Sequence, residues 1–256
     1  MTDDCDRKCL LNVMQQYLDA LVAHDATKLK TAASVKVTAN GVQAALGDGL
    51  FKTGTMVLND HRLDYADPVE GNVATQLVVN EGSTGCIHMA RLKVVKHEVT
   101  EVETMTVHQA DAANGFFNLE AMKPEMVFLQ EVPADKRMSR DKLKEITNLY
   151  LDYLEGKKNG MQVPFDAMCK RYENGVATAS GLSSFNAQSW GFQVTRRILV
   201  VDEEAGITFG MFPFMQSAMP LVVGEAFKMI DGKIMMIQAI MCYMPVGDWP
   251  KDLPTK

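Results

Sequence analysis

The densest polar cluster in this chain is Asn59-Asp60-His61-Arg62-Leu63-Asp64-Tyr65. Successive side chains on a strand point to opposite faces, so Arg62, Asp64 and Ala66 share one face, and Leu63 and Tyr65 the other. An arginine so placed can hold a phenolate or other oxyanion, and a tyrosine can donate or relay a proton. Arg62 and Tyr65 are therefore candidate catalytic groups, with Asn59 and His61 as substrate contacts. The competing reading is a solvated turn with an Arg–Asp pair. The cluster is expected where a third helix of the first half gives way to its sheet.

His88 sits in Gly85-Cys86-Ile87-His88-Met89-Ala90-Arg91-Leu92, on a strand face that is otherwise mostly apolar. It is either a hydrogen-bonded core residue or a base that titrates near neutral pH. Glu101 and Glu103 alternate on a later strand. Either they are surface acids, or Glu103 faces a cavity where burial raises its pKa and makes it a usable base. Further along, Arg171, Tyr172, Glu173, Arg196, Arg197, Glu225 and Gln238 carry the polar chemistry. Tyr172, Arg196, Arg197, Glu225 and Gln238 are candidate binding residues. Adjacent arginines on a strand face opposite ways, so one of Arg196 and Arg197 is expected to be covered. A covered arginine needs a carboxylate partner, and Glu225 is the candidate. Trp190 closes a polar run, Ser183 to Ser189, that is either a surface loop or a set of hydrogen-bonding groups for a substrate.

Other chemistries lack their signatures. No phosphate-binding Gly-rich loop, Gly-x-Ser-x-Gly elbow or His-Glu-x-x-His motif occurs. The five histidines show no helical pairing of metal ligands. Cys5 and Cys9 stand four apart, which by itself is a weak zinc signal. No metal and no cofactor are expected, so the chemistry would be acid–base and electrostatic.

The elements that must position these residues occur twice. Tyr17-Leu18-Asp19-Ala20-Leu21 returns as Tyr150-Leu151-Asp152-Tyr153-Leu154, and the Asn40-Gly41-Val42 turn returns as Asn174-Gly175-Val176, at nearly one offset. Leu77 to Glu81 also echoes Leu199 to Glu203. Each copy opens with an amphipathic helix whose apolar residues fall on one face: Leu10, Met14, Tyr17, Leu18 and Leu21, then Leu143, Ile146, Tyr150 and Leu154. Ser139 is placed to cap the second helix. Asn-Gly tolerates the positive φ angles of a two-residue hairpin. Strands are expected over 62–67, 73–80, 85–95 and 98–108, then over 191–201, 206–215, 221–230 and 233–244. Helices followed by runs of strands mean α+β. The expected layout is one copy over 8–111, a packed connector over 112–139 and a second copy over 140–246. The apolar stretch Phe212 to Pro220 is either a lid or plain packing.

Of 256 residues, 47% are hydrophobic and 23% charged, as in a globular chain. A net charge of −6 disfavours nucleic acid and anionic membranes. No apolar run reaches the roughly 18 residues of a spanning helix. The start, Met1-Thr2-Asp3-Asp4-Cys5-Asp6, lacks a basic-then-apolar leader, and the expectation is cytoplasmic. The five scattered cysteines fit reduced thiols. Eighteen methionines, eight of them from Met211 to Met244, suit either an adaptable core or a pocket for bulky apolar ligands.

Several segments resemble the SnoaL-like, nuclear-transport-factor-like superfamily, here in tandem. They are Asp64 to Gly71, Arg91 to Val94 with Val99 to Glu103, Glu173 to Val176, Arg196 to Glu203, and Glu225 to Lys228 with Asp231 to Ile234. The resemblance covers most of the chain and implies two cystatin-type α+β barrels, each an N-terminal helix on a bent antiparallel sheet. Within that group the nearest functional analogy is the sphingomonad diarylpropane lyases, which remove formaldehyde from lignin-derived dimers to give a stilbene. The resemblance thus implies a cofactor-independent lyase on a bulky aromatic diol. A dehydratase, isomerase or epoxide hydrolase on another hydrophobic metabolite stays open, as does a non-catalytic binding module. Folds of this kind pair through open sheet faces, which implies a homo-oligomer. The histidines cluster in the first copy and the methionines in the second, so acid–base chemistry is expected in the first.

Overall fold

In a computed structural model, residues 5–157, 162–185, 193–215 and 220–244 are described. Helix α1, Arg7–Val22, starts where the Asp6 carboxylate accepts the Cys9 N–H, and it buries Leu10, Met14, Tyr17, Leu18 and Leu21. Strands β1 (Thr31–Ala39) and β2 (Val42–Gln43) form a hairpin. A single-turn helix α2 (Leu50–Thr53) precedes β3 (Met56–Asp67), β4 (Asn72–Glu81), β5 (Thr84–Val95) and β6 (Glu98–Val107). A connector of short turns contains the one-turn helix α3 (Met126–Leu129). Then α4, Arg140–Leu154, begins at Ser139, whose hydroxyl accepts the Lys142 N–H. It leads to β7 (Phe165–Glu173), β8 (Val176–Ser180), β9 (Gln193–Val194), β10 (Ile198–Asp202), β11 (Ile207–Met215), β12 (Leu221–Ile230) and β13 (Lys233–Tyr243).

The two sheets share one strand order: β2-β1-β6-β5-β4-β3 in the first and β8-β7-β13-β12-β11-β10 in the second. Both are antiparallel except that β1 runs parallel to β6, and β7 parallel to β13. The hairpin turns use the predicted residues, with φ of 46° and 77° at Asn40-Gly41 and 47° and 78° at Asn174-Gly175. Each asparagine also pairs its side-chain amide with both backbone groups of one residue on the last strand, Thr106 or Met241. An aspartate could not, because it lacks the N–H donor.

Three cores result. One face of the first sheet covers α1, and the matching face of the second covers α4. The other two faces pack against each other, joined by Met122, Phe128 and other connector residues. Central strands are therefore buried on both sides; Asn72–Val79 and Val222–Met229 are buried without interruption, as expected for strands covered on both faces. Methionines fill the layer between the sheets, and Met89 packs where a Cβ on Gly224 would lie 2.1 Å from its sulfur.

Several expectations are corrected. Residues 56–61 are strand, not helix, so the Asn59–Tyr65 cluster lies within β3. Leu77–Glu81 belongs to β4, whereas Leu199–Asp202 belongs to β10, the counterpart of β3; that echo is not a structural equivalence. Residues 195–197 lie between strands rather than on one. Cys5 and Cys9 are joined as a disulfide, because the first turn of α1 brings their Cα atoms to 5.2 Å. Among the described residues no helix is long and apolar enough to cross a membrane.

Candidate functional site

The second unit holds a cavity of about 500 Å³ between α4 and the inner face of its sheet. Strand alternation aims Arg171 and Glu173 of β7, Val223 and Glu225 of β12, and Met241 and Tyr243 of β13 into it. Helix α4 contributes Tyr150 and Tyr153 one turn apart. Phe116 from the connector, Phe185 and Phe214 supply apolar wall. Among the described residues the methionines mainly fill the core rather than line a pocket: Met241 lines this cavity, and the rest of its apolar wall is mainly aromatic.

Glu225 is the chemical centre. It is 2% exposed. The Tyr150 hydroxyl donates to its Oε1 at 3.2 Å, and its Oε2 has no hydrogen-bond partner among the described residues. Burial pushes this carboxyl up to about 8, although Arg171 opposes the rise. Arg171 donates from Nη1 to the Tyr150 hydroxyl at 3.2 Å and from Nε to Thr178 Oγ1 at 3.0 Å. Its Nε lies 3.4 Å from Glu173. Burial, and next the Glu225 charge, hold the Tyr150 phenol well above its ordinary range, so it stays a donor. A buried acid raised toward neutrality, a phenol and a guanidinium thus converge on one cavity. That set can take a proton from a bound molecule, return it, and stabilise an oxyanion.

The first unit keeps only the tyrosine. With the two asparagine turns in register, Val37 stands where Arg171 does, Ala39 where Glu173 does, and Ala90 where Glu225 does. Tyr17 meets His88 Nε2 at 3.4 Å, and His88 Nδ1 meets Thr106 Oγ1 at 3.0 Å, beside a cavity of only about 50 Å³. Burial pushes the imidazole down to about 4, so it is neutral at physiological pH. The expectation of acid–base chemistry in the first copy is thereby reversed.

The remaining predicted residues scatter. Asn59 and Arg62 line a groove of about 360 Å³ between the units, beside Arg7 and Glu131. Arg62 is bound to Asp64 at 2.7 Å and to Gln15 at 2.6 Å. His61 hydrogen-bonds Asp60 at 2.8 Å. Tyr65 faces the opposite sheet with its ring centroid 5.0 Å from Phe209. Glu103 is not a raised-pKa base: burial pushes its carboxyl up, but Arg91 and Arg197 outweigh this and hold it below the usual range. Arg197 is the covered arginine of its pair, and its partner is Glu103 of the first unit rather than Glu225. Arg196 reaches Asp152 of α4 and Glu155, which caps that helix's C-terminal end. Tyr172 points to the other face from Arg171 and donates to Glu125 at 3.0 Å. Gln238 is buried between the sheets, its carbonyl accepting from Gln76. Trp190 lies outside the described residues, as do residues 216–219 of the proposed lid. Of the described candidate catalytic and binding residues, Glu225 lines the large cavity, and Ser184 of the polar run joins it. Tyr150, read only as a helix-face residue, and the alternating pair Arg171 and Glu173 are the partners Glu225 needed.

Among the described residues two groups of His, Cys and acid side chains also gather, both in the first unit: Glu81, Cys86 and His108, and the bonded Cys5 and Cys9 with His97.

A family model described as "Domain of unknown function (DUF8021)" matches residues 136–241, the second unit from just before α4 into β13. No curated protein matches the chain. Among solved structures, the chain is similar to a putative ketosteroid isomerase from Kribbella flavida, with 14% identity over 51% of this chain and 95% of that one, TM-score 0.34. It is similar to a putative polyketide cyclase from Xanthomonas campestris pv. campestris, with 14% identity over 39% and 90%, TM-score 0.33. It is also similar to a de novo designed protein with a curved β-sheet, with 12% identity over 40% and 87%, TM-score 0.33.

Proposed function

We propose that the second unit is an enzyme's active site, performing cofactor-independent proton transfer on a bulky aromatic substrate. The observation that carries this reading is the buried Glu225 carboxyl beside the cavity, pushed up to about 8, with Tyr150 donating to one oxygen and the other oxygen without a hydrogen-bond partner among the described residues. A group with that pKa can both give and take a proton near pH 7. A binding module would not need two acids and an arginine in an aromatic pocket, because each costs desolvation free energy.

The specific reaction we propose is removal of formaldehyde from a phenolic diarylpropane diol. Arg171 and Tyr150 hold the phenolate oxygen. Glu225, protonated, gives its proton to the benzylic hydroxyl, which leaves as water while the ring becomes a quinone methide. The resulting carboxylate takes the proton of the terminal hydroxymethyl. The C–C bond breaks, formaldehyde departs, and the electron pair forms the stilbene double bond and restores the phenolate. Glu225 ends protonated, ready for another turnover. A cavity of about 500 Å³ is within the range that takes a two-ring molecule.

A second reading, hydrolysis of an aryl epoxide, is favoured by two carboxyls lining one cavity, Glu173 beside Arg171 at 3.4 Å and Glu225, since one carboxylate can activate water while the other protonates the opening oxygen. Incubation with the diol, followed by stilbene absorbance and a formaldehyde assay, separates the two. Formation of both products, abolished in Glu225→Gln and Tyr150→Phe, supports the lyase. Turnover of an epoxide but not of the diol moves the assignment to hydrolysis. Full activity in Glu225→Gln defeats both.

A further inference from the structure

Three side chains meet at one corner of the first unit and have no equivalents in the second. Cys5 and Cys9 flank the N-cap of α1, and the His97 Nδ1 lies 3.4 Å from the Cys9 sulfur. At the same places around the N-cap of α4, the second unit has Met138 and Lys142. His97 belongs to the β5–β6 turn, whose two central residues, Lys96 and His97, have φ of 49° and 60°. The matching β12–β13 turn uses Asp231-Gly232, with φ of 48° and 77°. A Gly adopts that conformation without the penalty a side chain incurs. The first unit therefore carries three substitutions that touch one another, and one of them sits where glycine would be cheaper.

We infer that Cys5 and Cys9 are a redox-active dithiol–disulfide pair that exchanges with small-molecule thiols and disulfides of the glutathione class. Cys9 is the attacking sulfur and His97 the residue that tunes it. Cys9 is the third residue of a helix of 16 residues, so its thiolate faces the positive end of the helix dipole. Lys8 beside it offsets the negative charge of Asp6, while Arg7 is paired with Asp202. Cys9 is partly exposed while Cys5 is buried, which suits an attacking and a resolving sulfur. The other three cysteines differ: Cys86, Cys169 and Cys242 lie in the cores, where burial pushes each thiol up to about 12.

The exchange balances. The Cys9 thiolate attacks a small disulfide, forming a mixed disulfide and releasing one thiolate. The Cys5 thiolate then attacks the Cys9 sulfur, closes the protein disulfide and releases the second. Two electrons pass from the protein dithiol to the small disulfide, and the reverse sequence reduces the protein.

The test equilibrates the full chain in glutathione buffers from reducing to oxidising, quenches with an alkylating agent, and reads each cysteine by mass spectrometry. The pair should interconvert within that range while Cys86, Cys169 and Cys242 stay unmodified. In Cys5→Ser, Cys9 should react with iodoacetamide at pH 7 about tenfold faster than a cysteine in a short peptide, as a thiolate-rich site does. Adding His97→Gly, which copies the second unit's own turn and so preserves the fold, should remove most of that excess. A pair that stays oxidised in the most reducing buffer overturns the inference, as does Cys9 reacting at the peptide's rate. Stoichiometric uptake of Zn²⁺ by the reduced chain that blocks exchange would overturn it in favour of a metal site.

Discussion

Asp67 and Asp202 occupy the same position in the two units, and each carboxylate reaches into the other unit. Asp67 Oδ2 accepts the Val201 N–H at 2.9 Å, and Asp202 Oδ2 accepts the Ala66 N–H at 3.0 Å. Arg140, the first residue of α4, grips Asp67 through both guanidinium nitrogens at 2.7 and 2.6 Å. Arg7, the first residue of α1, holds Asp202 at 3.0 Å. The contact is reciprocal, as in a twofold dimer interface, but both partners lie on one chain.

Removing either acid leaves an arginine and a buried N–H without their acceptor. Asp67→Ala and Asp202→Ala should each cost about 3 kcal/mol, read as a lower midpoint in urea unfolding followed by circular dichroism. A loss below about 0.5 kcal/mol would mean that the cross-unit contact contributes no more than an exposed pair.

Glu225 should make stability depend on pH. Its carboxyl has an ordinary value of 4.5 and is pushed up to about 8 in the fold. Between those values the folded protein keeps a proton that the unfolded chain has released. The contribution is fully present below about 4.5 and is lost as pH rises through about 8, at of order 1 kcal/mol per pH unit. Glu225→Gln lacks this loss, so its stability relative to the parent should climb from pH 5 to pH 8 in urea titrations. A constant difference would show that Glu225 is ionised in the fold.

His88 should act at the acid end. Burial pushes its imidazole from 6.5 to about 4. Below about 6.5 the unfolded chain gains a proton that the folded state refuses, so this contribution to stability is present above 6.5 and is lost as pH falls toward 4. His88→Gln should flatten the acid limb of the stability profile, measured by thermal unfolding at pH 4.5 and 7.

Gly175 and Gly82 separate close approach from simple strain. A Cβ on Gly175 would lie 1.9 Å from the Asn118 carbonyl oxygen, and at Gly82 it would meet nothing within 4 Å, yet both have positive φ. Gly82→Ala should cost about 1 kcal/mol, the backbone penalty alone, and Gly175→Ala distinctly more. Equal losses in chemical denaturation would mean that the connector shifts freely away from the turn.

His97→Gly should raise stability by about 1 kcal/mol in the parent background by relieving the positive φ at that turn. Differential scanning calorimetry of the oxidised protein would show it as a higher Tm.

The duplication, the α+β class and most strand limits were legible in the sequence because they depend on local chemistry. Asn40-Gly41 and Asn174-Gly175 fit only a turn with positive φ, and Ser139 marks a helix start by its own side chain. Alternation also placed Arg62 with Asp64 on a common face. It could not say which face meets a helix, which the other sheet and which solvent. That assignment exchanged the expected roles. Glu103, with Arg91 beside it, meets Arg197 from 94 positions along the chain and becomes a buried ion pair. Tyr65 turns to the other sheet. Glu225 faces α4, where Tyr150 is the one retained tyrosine with a carboxyl beneath it. A carboxyl's pKa and reactivity are set by what burial brings against it, and only the packing of the two sheets and their helices supplied those neighbours.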